Sequence, residues 1–266
     1  MEEPSASATA PLQLLPALQL GGAWQMAIDA WMLDQRRPAL RLYRWRRPSL
    51  SLGHHQRRIA PHWLELARSG AIELVRRPSG GRAVLHGGDL TYALVWPDAS
   101  GSREGVYRQA CRWLQEAFAE LGQPLHFGRQ AASGQPASCF ALSTAADLVH
   151  ADGAKRIGSA QLWRQGCLLQ HGSIQLEPPA ALWEQVFAMP PPQLAPLPIS
   201  PAELDQLLLG SARRWLPIAA AGLAPVALEA LPLAVISRQA PALQLDLASP
   251  EATIERTTAA SASPRG

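Results

Sequence analysis

The alternation of apolar and polar positions divides the chain into helical and extended segments. In QMAIDAWMLDQ, after Gly21-Gly22, Met26, Ala30 and Leu33 recur at helical spacing and predict a first helix. PALRLYRW, SLSLGHH and AIELV predict short strands parted by Arg/Pro-rich turns, with a short helix at HWLELARSG that Gly70 closes. LTYALVW predicts another strand. The clearest helix is GVYRQACRWLQEAFAELGQ, where Val106, Ala110, Trp113, Leu114, Ala117, Phe118 and Leu121 share one face and Gly122 ends it. Cys111 on this helix reads as a packing residue. DLVH, the turn Ala151-Asp152-Gly153, AKRIGSAQLWR, a turn at Gln165-Gly166 and CLLQHGSIQL then predict consecutive hairpins. A period of two places Lys155, Ser159 and Gln161 on one strand face, and Cys167 reads as a small buried hydrophobe. PAELDQLLLGSARRWL predicts a helix capped by Ser200 with Pro201 at its first position. Beyond about residue 220 no dependable pattern emerges.

Composition narrows the class. At 266 residues and 47% hydrophobic, the chain has ample material for a core. No run of 18 apolar residues occurs, and MEEPSASATA offers no basic region before an apolar stretch, so we expect a soluble cytoplasmic protein without membrane attachment. Cys111, Cys139 and Cys167 are odd in number and lack zinc spacing, which points to free thiols and no metal site. Net charge is only +3, but arginine is concentrated between Arg36 and Arg77, in the pairs Arg36-Arg37, Arg46-Arg47, Arg57-Arg58 and Arg76-Arg77. Such a field suits solvated strand edges, nucleic acid or an acidic protein. With no nucleic-acid reader motif beside it, an acidic protein partner is the preferred functional reading and nucleic acid is not expected.

Three segments carry candidate chemistry. Among the 24 Lys+Arg residues Lys155 is the sole lysine, and an ammonium is a compact point charge that a planar guanidinium does not replace. VRRPSGGRAVLHGGDLTYALVW runs from strand through a glycine-bearing loop to strand. Gly80 and Gly81 permit positive φ and close backbone approach, and Arg76, Arg77, Ser79, Arg82 and His86 flank them as a cradle for an acyl group or a phosphate. PASCFALST places Cys139 in a small-residue loop shortly before the lysine strand, where a nearby cation would favour the thiolate.

Together RRPSGGRAVLH-x3-LTY, SCF and GAKRIGSAQ-x5-CLLQHGSI resemble the biotin/lipoate protein ligase catalytic-domain family over roughly residues 22–190. MAID, PALRLYRW and SLGHHQ look like its opening helix and strands. The resemblance implies an α+β fold with a mixed central β-sheet flanked by helices, of the class II synthetase-like type. We expect a disordered tail over 1–15, the catalytic domain over 16–218 and, from composition, a partly disordered Ala/Pro-rich extension over 219–266. The cysteine-bearing branch resembles octanoyltransferases that draw on octanoyl-acyl carrier protein, and Cys139 falls where that branch carries its nucleophile. Lys155 corresponds to the lysine of both branches. Gly80-Gly81-Arg82, in place of three consecutive glycines, looks more like the transferase branch.

The resemblance thus implies that Cys139 takes the octanoyl group as a thioester and passes it to the lysine of a lipoyl domain or glycine-cleavage H protein, without ATP. Lys155 would stabilise the oxyanion. Arg77, Ser79, Gly80, Gly81, Arg82, Ala83, His86, Ser159, Gln161, His171 and Gly172 are the expected substrate-binding positions, His86 and His171 reading more readily as hydrogen-bonded structural residues than as bases. No cofactor is expected, ATP and magnesium entering only if the chain is an ATP-dependent lipoate ligase. A silent carrier-binding module and a nucleic-acid binder are the remaining alternatives; the presence of both Cys139 and Lys155 argues against the former.

Overall fold

The computed structural model describes residues 10–128 and 147–245. An eight-stranded sheet forms the centre, in the order β11-β1-β2-β6-β10-β9-β8-β7. Its strands are β1 (Leu12–Leu14), β2 (Ala39–Tyr43), β6 (Asp89–Trp96), β7 (His126–Phe127), β8 (Asp147–Val149), β9 (Lys155–Arg164), β10 (Cys167–Gln175) and β11 (Leu223–Pro225). β11, β1 and β2 pair in parallel, and the remaining pairings are antiparallel, so the sheet is mixed. A second sheet of order β4-β3-β5 is built from β3 (Ser49–Leu52), β4 (Glu73–Arg76) and β5 (Val84–His86).

Each face of the large sheet is covered by the helix its pattern demands. α3 (Arg103–Glu120) buries Val106, Ala110, Cys111, Trp113, Leu114, Ala117 and Phe118 against Leu90, Tyr92, Leu94, Ile157 and Ile174, and Ser102 caps it by accepting from the Gly105 N–H. α5 (Pro201–Trp215) packs beside it, started by a capping box between Ser200 and Glu203. The opposite face takes α1 (Gly22–Gln35), whose buried stripe includes Gln25, Met26, Asp29, Met32 and Leu33. The apolar spacing singled out Ala30, which is half-buried; the position inside the stripe is the carboxylate Asp29. α2 (Pro61–Arg68) and α4 (Ala180–Phe187) cover the small sheet through Trp63, Leu64, Trp183 and Val186.

Two segments read from the sequence as lying outside the catalytic domain belong to this body. Leu12, fully buried, sits on β1 within the expected tail. Past residue 218, β11 pairs along Leu12–Leu14 and α6 (Leu233–Leu243) buries Ile236 and Ala240 in the core that α1 occupies. The two hairpin turns form as the glycines require: Gln165 and Gly166 take φ of 49° and 78°, and Gly153 takes 88°.

The lysine strand departs from simple alternation. β8 and β9 pair Leu148 with Ile157 but Val149 with Lys155, leaving Arg156 as an extra residue in a β-bulge. Ile157 and Arg156 turn to the α3 face, where Arg156 lies over the Phe118 ring and donates to the carbonyls of Gln175 and Ala195. Lys155 is thereby delivered to the other face. Ser159 and Gln161 remain on the α3 side, where Ser159 bonds the Tyr92 hydroxyl and Gln161 donates to Gln170. The expectation that Lys155, Ser159 and Gln161 share a face is therefore corrected by one inserted residue.

Candidate active site

A small cleft of about 70 Å³ lies between the small sheet and the α1 face of the large one. Across it run Tyr43 and Trp45 at one end, Thr91, His171 and Ser173 in the middle, and Gly158, Asp147 and Lys155 at the other. Arg77, Gly81 and His86 close it from the small sheet.

At the strand-edge end, the Lys155 ammonium lies 2.8 Å from Asp147 Oδ1, with both side chains almost wholly buried. Asp147 stands opposite Gly158, so the carboxylate crosses the hairpin to the lysine that the bulge has turned inward. An ammonium so held is a buried cation lining the cleft, placed to stabilise a developing oxyanion there.

The middle of the cleft is walled by two polar relays. His171 takes Asp29 Oδ2 at Nδ1 (2.9 Å) and Ser79 Oγ at Nε2 (2.5 Å). His86 takes Asp89 Oδ2 at Nδ1 (2.8 Å) and Ser51 Oγ at Nε2 (2.9 Å). Each ring thus bridges a carboxylate at Nδ1 and a serine hydroxyl at Nε2. The order Ser, His, Asp is that of hydrolytic triads, yet Ser79 and Ser51 have no exposed surface. Both ring nitrogens of each histidine are bonded within the protein. The rings therefore act as walls and braces.

Further bonds lock these braces. Asp29 also accepts from the Tyr43 hydroxyl at 3.0 Å and faces Arg41 Nε at 3.5 Å, and Arg41 lies 3.7 Å over the Tyr43 ring. Burial, then the Asp29 carboxylate, pushes the Tyr43 phenol well above its usual range, so it remains a donor. Asp89 accepts from His86, Thr91, Ser173 and the Gly87 N–H. Burial by itself raises this carboxyl, but His86 and the hydrogen bonds outweigh it and leave the pKa below the ordinary value. Trp45 stacks on His86 at 3.9 Å and donates to Thr91.

Of the expected binding positions, the structure gathers Arg77, Gly81, His86, Lys155, Ser159, His171 and Gly172 around the cleft. Ser79 sits behind His171. Arg77 is bonded to the carbonyls of Ser51, Gly80 and Arg82 and so shapes the 77–82 turn around Gly81, whose φ is 96°. Gly80 contributes its carbonyl to that turn, and Arg82 is exposed. Ala83 packs in the small-sheet core with Leu50 and Leu85, away from the cleft, and Gln161 lies on the far side of the large sheet. Gly172 opposes Ser159 and Tyr92, where an added Cβ would lie 2.6 Å from the Ser159 hydroxyl and the Tyr92 ring. Cys139 falls outside the described residues. Cys111 and Cys167 are buried, and desolvation raises their thiols to about 12 and about 11. Among the described residues no cluster suits a metal ion and no helix is long and apolar enough to cross a membrane.

Sequence reasoning did not identify Asp147, Asp29 or Asp89. A signal existed for one of them: a carboxylate inside the apolar stripe of a helix, as in MAID, needs a buried partner.

The lipoyl protein ligase A/B catalytic domain matches residues 22–193, a span holding both the relays and the lysine. The chain belongs to this family. Among its relatives, Octanoyltransferase LipM of Kyrpidia tusciae is 37% identical over 171 residues, covering 58% of this chain and 62% of that protein. The corresponding protein of Oceanobacillus iheyensis is 34% identical over 182 residues, covering 65% and 66%. The matches thus span less than two thirds of these relatives' lengths. Solved structures share the fold at lower identity. A lipoate-protein ligase A bound with ATP superposes with a TM-score of 0.67 at 19% identity, covering 88% of this chain and 94% of that one. A bi-partite lipoate protein ligase from Thermoplasma acidophilum gives 0.64 at 17%, covering 88% and 91%.

Proposed function

We propose that the chain is an octanoyltransferase of protein lipoylation, moving an octanoyl group from octanoyl-acyl carrier protein to the acceptor lysine of a lipoyl domain or glycine-cleavage H protein. The observation that carries the reading is the buried Lys155 ammonium held by Asp147 at the end of the cleft. Support comes from relatives named octanoyltransferase.

In this mechanism the Cys139 thiolate attacks the donor thioester carbonyl, and the carbonyl oxygen becomes an oxyanion facing Lys155. Collapse expels the carrier's thiolate, which takes up a proton, and leaves octanoyl on Cys139. The acceptor's neutral amine then attacks, the Cys139 thiolate leaves, and the amide nitrogen loses its proton. Thioester exchange is nearly balanced and amide formation runs downhill, so no nucleotide enters. His86 and His171 hold the walls. The reaction belongs in the cytoplasm, where both carriers reside.

Incubation with octanoyl-acyl carrier protein and no nucleotide, followed by intact mass under non-reducing, mildly acidic conditions, tests this. One octanoyl adduct is expected, removed by neutral hydroxylamine, absent in Cys139→Ala and retained in variants altered only at Cys111 or Cys167. Full activity of Cys139→Ala with ATP and free acid, and no adduct from the carrier, would make the chain an ATP-dependent lipoate ligase instead.

A further inference from the structure

The arginines between Arg36 and Arg77 separate by what they touch. Arg41 is buried against Asp29, Arg44 pairs with Asp205, Arg36 reaches Gln165, Arg47 donates to the Gly70 carbonyl, and Arg77 shapes the glycine turn. Arg76 donates to the carbonyls of Gly53, His54 and Gln56 and so pins the loop that follows β3. On that loop His54, His55, Arg57 and Arg58 are exposed, and the two imidazoles meet edge to face at 4.8 Å.

The pinned loop stands at the mouth of the cleft. The His54 N–H donates to the Ser79 carbonyl, and an added Cβ at Gly53 would lie 1.9 Å from the carbonyl oxygen of Gly81, a cleft-lining residue. Exposed Arg82 follows immediately. No acidic residue occurs between Asp34 and Glu65 or between Glu73 and Asp89, so the segments that form this rim carry net positive charge.

Resting on the acyl-transfer reading, we infer that the His54–Arg58 loop, with Arg82 beside it, is the docking surface for the acidic carrier protein that delivers the acyl group. A loop whose carbonyls are held by the Arg76 guanidinium presents its cations with little ordering cost. Its position lets a carrier bound there direct its thioester arm past Gly81. Arg36 and Arg37 serve as an internal contrast, because Arg36 bonds the β9–β10 turn at the end of the sheet remote from the cleft.

The test compares wild type, Arg57→Glu/Arg58→Glu and Arg37→Glu. Binding of the octanoyl-loaded carrier and its KM are measured at low and physiological salt, beside the rate with a carrier-free neutral donor, octanoyl-N-acetylcysteamine. The double variant should weaken carrier binding and raise KM about tenfold or more at low salt, a gap that narrows as salt rises, while the carrier-free donor is used as well as by wild type. Arg37→Glu should stay within about twofold of wild type. Docking at this loop is overturned if the double variant binds the carrier like wild type, if Arg37→Glu loses as much, or if only transfer to the acceptor domain suffers. Normal carrier binding that the double variant loses, with no turnover of any octanoyl thioester, would overturn the acyl-transfer reading and leave the docking surface standing.

Discussion

In the middle of the cleft His171 and His86 have both ring nitrogens bonded to the protein, whereas at its strand-edge end Lys155 meets Asp147 and faces the same cavity as a cation. The two regions use similar residue types for different ends. A buried histidine braced by a carboxylate and a serine has both ring nitrogens committed, so its substitution is felt in stability. An ammonium turned inward by a bulge keeps a charge directed at the ligand space, so its substitution is felt in rate.

The largest effect on this contrast comes from Asp29→Ala. It removes the acceptor shared by Tyr43 and His171 and strands the buried Arg41, at a cost of about 3–5 kcal/mol in chemical unfolding. A loss below about 1 kcal/mol would mean that the relay is not a brace.

Gly172→Ala sharpens the comparison at the floor between the two regions. Its methyl meets Ser159 and Tyr92, and overpacking should cost about 1–3 kcal/mol in a melt without altering the Lys155 end. A variant as stable as wild type would show that the floor yields.

The smallest expected effect is on pH dependence. Because the Asp89 pKa is lowered in the folded state, its contribution is fully present above the unfolded value of about 3.9 and is lost as pH falls through the folded one. Asp89→Asn should therefore be less stable at neutral pH and show a shallower decline in melting temperature below about pH 4. An unchanged acid slope would remove Asp89 from the account.

Much of this was legible because it is local. The apolar face of α3 from Val106 to Phe118 and the cap at Ser200 follow from spacing and side-chain chemistry. What escaped is non-local. The bulge at Arg156 depends on how β8 meets β9, and it alone moves Lys155 off the face of Ser159 and Gln161. β11 is three residues ending in proline, and it becomes a strand by pairing with Leu12–Leu14 some two hundred residues earlier. Asp147 precedes the lysine hairpin without any motif, and only the fold across Gly158 brings it to Lys155.

The contrast between the two regions is tested most directly by measuring, side by side, the single-turnover rate of octanoyl adduct formation and the melting temperature for Lys155→Arg and Ser79→Ala. Lys155→Arg should lose about 10²–10³ in rate, as much as Lys155→Ala, while melting near wild type. Ser79→Ala should lose about 1 kcal/mol of stability and keep its rate within about threefold. A Lys155→Arg enzyme retaining more than about a tenth of the wild-type rate, a loss under 1.4 kcal/mol, or a Ser79→Ala enzyme as slow as Lys155→Ala, would contradict the division between brace and chemistry.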